Sequence, residues 1–108
     1  MLWANLADTH KFIVIYQNST SSADECWDVA SSKTLSYDGG GDSQSIASMM
    51  LYTISKYNAD ASKVFVTGVS SGEMMTNVMV AVYPNLFTAA SAYSGVAAEC
   101  FAGPSVDY

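Results

Sequence analysis

Gly68-Val69-Ser70-Ser71-Gly72 is the stretch of this sequence whose residue types and spacing suit chemistry. A serine hydroxyl is a poor nucleophile until a base takes its proton, so it must stand where a base and a carbonyl both reach it. The G-x-S-x-G pattern provides that stand when it joins a strand to a helix. Here a β-branched and aromatic run, Val64-Phe65-Val66-Thr67, leads in, and Met75, Val78, Met79 and Val82 follow at helical spacing. The predicted order is strand, sharp turn, helix, with Ser70 at the apex in a strained backbone conformation. Gly68 and Gly72, lacking Cβ, are expected to let strand and helix pass closely. Ser71 opens the helix, so its N–H lies outside the intrahelical ladder and points where an oxyanion would form. The bare pattern arises by chance in roughly one chain in ten of this length. The flanking elements set it apart from a structural Gly-Ser-Ser-Gly turn.

Other reactive residues are few. His10 is the single histidine. It ends a predicted helix and precedes a predicted strand, which puts it at the amino edge of a sheet whose carboxyl edge carries Ser70. A five-residue strand separates those edges by about 16 Å, whereas a base works within about 3 Å of the proton it removes. His10 therefore reads as a helix-end residue. Asp24, Asp28, Asp38 and Asp42 fall on the carboxyl edge, and without an intervening histidine they read as loop or capping residues. Trp27 reads equally as an aromatic stacking wall of the site or as a loop anchor. Cys26 and Cys100 both lie on loops at that edge. Pairing them closes a loop of about 74 residues and adds about 4.5 kcal/mol in the chain-entropy model; the alternative is a partner cysteine elsewhere. Asn18-Ser19-Thr20 is an N-glycosylation sequon, meaningful in a secreted chain.

The elements that must position these residues follow from composition and pattern. Half of the 108 residues are hydrophobic and 13% are charged, which calls for a packed core in one small domain. A net charge of −6 with four basic residues argues against nucleic acid or an anionic membrane as partner. No apolar run has the length of a membrane span. No zinc spacing or phosphate loop occurs, and Asp38-Gly39-Gly40-Gly41-Asp42 reads as a flexible loop whose acids would repel a phosphate.

Along the chain, Leu2, Trp3, Leu6 and Ala7 mark one face of a short helix to His10. Phe12-Ile13-Val14-Ile15-Tyr16 is an unbroken apolar run, as in a parallel strand covered on both faces. Residues 17–42 form a long polar loop. Asp42 is placed to cap a helix over 43–57 that buries Ile46, Met49, Met50, Ile54 and Tyr57. The elbow strand and helix follow, Pro84-Asn85 marks the stop, and 87–93 is a third strand. Alternation of this kind implies a parallel sheet with helices on both faces and an active site at the carboxyl ends of the strands. The fold class is α/β, a partial α/β-hydrolase core of about three parallel strands.

Beyond the elbow, Phe12-Ile13-Val14-Ile15-Tyr16, Cys26-Trp27-Asp28-Val29, Gly39-Gly40-Gly41-Asp42-Ser43, Met74-Met75-Thr76-Asn77 and Ala92-Tyr93-Ser94-Gly95-Val96 add several separate blocks to the pattern. Together they resemble the secreted fungal acetylxylan esterases of carbohydrate esterase family one. Feruloyl esterases and polyhydroxybutyrate depolymerases are relatives with a similar core. The resemblance implies secretion, no metal or other cofactor, and hydrolysis of acetyl esters on xylan by a Ser-Asp-His triad. Ser70 carries over as nucleophile and the Ser71 N–H as an oxyanion donor. In that family the triad acid and histidine follow the serine, and the second oxyanion loop precedes Leu2. The chain is therefore expected to be the central part of a larger catalytic domain, inactive and poorly packed in isolation. The strand preceding that oxyanion loop should lie between Phe12–Tyr16 and Val64–Thr67. Phe12–Tyr16 is accordingly expected to stand apart from the elbow strand or unmatched at its edge. A feruloyl esterase, or a non-catalytic fragment that at most binds polysaccharide, are the alternatives.

Three residues depart from the family pattern: Glu73 where a small residue is usual, Gln17 where proline is usual, and Glu99 where glycine is usual. Glu73 is expected to point to solvent from the first turn of the helix, favoured there by the helix dipole. The other reading puts its carboxylate near the developing oxyanion.

Overall fold

The computed structural model of the chain describes residues 2–21 and 23–103. Five elements form in the order α1 (Trp3–His10), α2 (Asp42–Tyr57), β1 (Phe65–Val69), α3 (Ser71–Val82) and β2 (Ala89–Tyr93). β1 and β2 pair in parallel, with Phe65 opposite Ala89 and Val69 opposite Tyr93. The Thr67 hydroxyl adds a bond to the Ser91 carbonyl at 2.8 Å. A parallel pair needs a long connection, and α3 is that connection, packed against both strands. The result is a partial α/β core in which one helix backs the sheet directly.

Two of the three expected strands are present. Phe12–Tyr16 adopts no regular structure and joins no ladder, which corrects the expectation of a third strand at this place. An apolar run becomes a strand only when another backbone accepts and donates its hydrogen bonds, and among the described residues β1 pairs with β2 alone. Phe12–Tyr16 thus stands apart from the elbow strand. The sheet is also covered on one face only. Val66 and Gly68 are half-buried toward α3, whereas Phe65, Val69 and Tyr93 stay exposed on the strands.

The core gathers around α3. Met75, Val78, Met79 and Tyr83 pack with Ile46 and Ala47 of α2 and with Val29 of the long loop. Only the first half of α2 takes part. Met50 and Ile54 are half-buried, while Met49 and Tyr57 of the expected apolar face are exposed. The reason is geometric: among the described residues α2 packs on α3 and on no strand, so nothing lies beneath its second half. α1 forms as expected but buries none of its residues.

The loop segment of residues 23–42 is more ordered than its polarity suggests. The Asp28 carboxylate accepts bonds from the N–H groups of Ala30 and Ser31 and from the Ser31 hydroxyl. Thr34 is fully buried; its hydroxyl accepts the Ser43 N–H at 3.3 Å, and its carbonyl accepts the Ser43 hydroxyl at 2.6 Å. The glycine run is a close approach and not a flexible hinge, because a Cβ on Gly41 would sit 2.6 Å from the Thr34 nitrogen. Asp42 does not cap α2. Gly41 is the N-cap residue, and the Asp42 carboxylate turns back to accept the Thr20 hydroxyl at 3.2 Å and the Asp28 N–H at 3.0 Å.

Candidate active site

The turn between β1 and α3 is one residue long. Ser70 has φ 57° and ψ −122°, and Ser71 is already helical. These angles match the first central residue of a type II′ turn, a conformation that glycine normally supplies. The structure holds a serine there by its surroundings. The Ser70 N–H donates to the Tyr93 carbonyl at 3.0 Å, and the Ser70 carbonyl accepts the N–H groups of Glu73 and Met74 at 2.9 and 3.0 Å. The side chain at the apex is exposed, with its backbone fixed on both sides.

The two glycines of the pattern play unequal parts. A Cβ on Gly68 would overlap the Gly72 carbonyl and lie 2.8 Å from the Glu73 nitrogen. A Cβ on Gly72 would meet nothing within 4 Å. Close passage of strand and helix thus rests on Gly68, which corrects the expectation of a shared role.

The Ser71 hydroxyl accepts the Trp27 N–H at 2.8 Å and so fastens the long loop to the elbow. Trp27 packs against the edge of the core and also lines a hollow of about 240 Å³ with Thr20, Asp24, Cys26, Asp28 and Asp42. Trp27 is thus a loop anchor that also borders the hollow. The carboxylates here are strong acceptors. Asp24 lies below the ordinary carboxylate range because the Ser21 hydroxyl and the Cys26 N–H donate to it. Asp28 is pushed up by burial and pulled further down by its bonds from Ser31 and Ala30, so its net position is also low.

Glu73 does not point to solvent. It is buried beneath the loop that follows β2, and the expectation of an exposed first-turn acid is overturned. Its Oε1 accepts the Asn77 amide at 2.7 Å, and the same amide donates to the Val96 carbonyl at 2.9 Å. Its Oε2 is buried with no hydrogen-bond partner. A Cβ on Gly95 would overlap that carboxylate. Asn77, Gly95 and Val96 escaped the sequence reading. The available signal was the four-residue spacing of Glu73 and Asn77, which puts both on one helix face.

His10 lies exposed in the last turn of α1. Asp38 accepts the Tyr83 hydroxyl at 3.3 Å and donates its own N–H to that hydroxyl at 3.1 Å, a structural role. Asn18 is exposed. Cys26 and Cys100 are both free, so the pairing considered from sequence is absent here. Cys26 faces the polar hollow with Asp28, whereas the turn bearing Cys100 packs through Ala98 and Phe101 on the core near Val29. Among the described residues, no helix is long and apolar enough to cross a membrane.

Parallel strands, a helix starting immediately after a strained serine, and a glycine under the crossing define part of an α/β-hydrolase core. The chain belongs to the family described as Esterase PHB depolymerase, whose profile matches residues 3–105. It is 62% identical over 92% of its length to acetylxylan esterase A of Aspergillus oryzae, of which it spans 32%. It is 61% identical over 92% of its length to acetylxylan esterase A of Talaromyces purpureogenus, of which it spans 26%. A solved acetyl xylan esterase from Aspergillus awamori superposes with a TM-score of 0.93 at 57% identity, over 98% of this chain and 38% of that one. The chain thus spans about a third of the length of these relatives.

Proposed function

We propose that the chain is the central part of the catalytic domain of a secreted serine carboxylesterase that removes acetyl groups from xylan. The observation that carries this reading is the Ser70 backbone at φ 57° and ψ −122°. A serine is held, at a cost of order 1–3 kcal/mol, where glycine would be relaxed. That cost has a purpose if the hydroxyl is needed at the apex. In the proposed reaction a base takes the Ser70 Oγ proton while Oγ bonds to the acetyl carbon. The carbonyl oxygen takes up the electron pair and is stabilised by the Ser71 N–H. Collapse expels the sugar oxygen, which receives the proton, and water then releases acetate from the acyl-enzyme. His10, at the end of α1, is not assigned as the base; base and acid are supplied by the rest of the domain.

The names of the relatives support acetyl as the acyl group and xylan as its carrier. The rim beside the elbow agrees. Asp24, Asp28 and Asp42 would repel an anionic ligand, whereas a neutral polysaccharide offers hydroxyl donors to them. Exposed Asn18 in its sequon fits a secreted, glycosylated protein. The test is acetate release from acetylated xylan by the purified full-length protein and its Ser70→Ala variant. Loss of release with an unchanged fold is expected. Activity within tenfold of the parent would sink the assignment of Ser70.

A further inference from the structure

The end of β2 and the loop after it are tied to the elbow at three points. The Tyr93 carbonyl accepts the Ser70 N–H, Gly95 rests on the Glu73 carboxylate, and the Val96 carbonyl accepts the Asn77 amide at 2.9 Å. Between the first two, Ser94 adopts a positive φ of 63°. Both hydrogens of the Asn77 amide are used, one on Val96 and one on Glu73 Oε1, so Glu73 fixes the orientation of the amide that holds the loop. Glu73 Oε2 meanwhile lies buried with no partner. Folding alone does not favour that arrangement, since an unsatisfied buried oxygen is unfavourable and a small apolar residue would avoid it. A locally unfavourable group one turn from the candidate nucleophile, standing where the family usually has a small residue, points to a role particular to this chain.

We propose that Glu73 is a positioning residue for the elbow. Through Asn77 and the wedge beneath Gly95, it holds residues 93–96 so that the Tyr93 carbonyl fixes the Ser70 backbone. The proposal rests on the reading of Ser70 as nucleophile. Small displacements of an attacking atom slow the chemical step far more than they weaken ground-state binding. Release of the clamp should therefore lower kcat and leave KM nearly unchanged.

The test uses the full-length protein with Ser70 titrated by a fluorophosphonate, so that kcat is expressed per competent serine. Glu73→Ala and Asn77→Ala should each lower kcat about tenfold with KM within about twofold. The double variant should be no slower than either single, because the two act as one unit. Glu73→Gln retains the acceptor for Asn77 and should stay within threefold of the parent. Amide exchange over residues 94–98 should quicken in the two alanine variants and not in Glu73→Gln. A merely structural role would lower the titrated serine and the melting temperature while leaving kcat per serine unchanged, and that result overturns the proposal. Quicker exchange without a fall in kcat overturns it equally. A parent with no acetate release refutes the reading of the site instead, and unchanged exchange in Glu73→Ala would then refute the clamp separately.

Discussion

Trp27 and Ser71, 44 residues apart, are joined by the Trp27 backbone N–H donating to the Ser71 hydroxyl at 2.8 Å. Ser71 thereby has two separable parts, a side chain that anchors a loop and a backbone N–H to which the proposed mechanism gives the oxyanion. Ser71→Ala strands the Trp27 N–H in a partly buried place. The expected cost is about 1–2 kcal/mol, read as a lower denaturation midpoint. Since the backbone N–H persists, kcat should fall less than tenfold. A loss of a hundredfold or more would show that the hydroxyl itself takes part in the chemistry.

Ser70 separates strain from catalysis. Ser70→Gly relaxes the positive φ, whereas Ser70→Ala retains the strain without the hydroxyl. Both should be inactive, yet the glycine variant should be more stable than the alanine variant by about 1 kcal/mol. Equal stabilities by chemical denaturation would mean that the backbone at residue 70 is relaxed.

Gly68→Ala should be severe, because its Cβ meets backbone atoms of Gly72 and Glu73 that cannot swing aside. A loss of about 3 kcal/mol, or failure to fold, is expected. Gly72→Ala should instead raise stability by about 0.5–1 kcal/mol, since the site is open and helical. Similar losses for both would overturn the asymmetry.

Asp28 makes stability depend on acid. Its carboxyl is raised by burial but lowered more by the Ser31 hydroxyl and the Ser31 and Ala30 N–H groups, leaving it below the ordinary 3.8. The unfolded chain therefore binds this proton first as pH falls. The contribution is complete above about pH 4–5 and is lost as pH drops through the lowered folded value. Asp28→Asn should cost about 1 kcal/mol at neutral pH, part of the interaction being screened by solvent. It should also flatten the stability profile below pH 4. An unchanged slope there would assign acid sensitivity to other carboxylates.

What could be read beforehand was what is local. The Gly68–Gly72 pattern and the apolar spacing of α3 are decided by neighbouring residues, and the structure has strand, apex and helix where they point. β2 was legible despite its small residues because a parallel partner needs little more than backbone. Phe12–Tyr16 was not, because an apolar run does not carry its own hydrogen-bond partner. Val29 enters the core, and Thr34 is buried, from a segment with no periodicity at all. Glu73 was misjudged for a related reason: helix position gives a residue's direction, but whether that direction is solvent depends on the distant loop at Gly95–Val96.

The lack of buried residues in α1 has a consequence for how the chain meets proteases. Lys11, Phe12 and Tyr16 are exposed and follow a helix that contributes nothing to the core, while the residues packed in or against the core begin at Trp27. Trypsin or chymotrypsin has a favourable bond to cut between residues 11 and 17 without first opening the structure. The primary product expected on brief digestion is a trimmed piece starting there, with the Trp27–Ser71 bond and the elbow still in place.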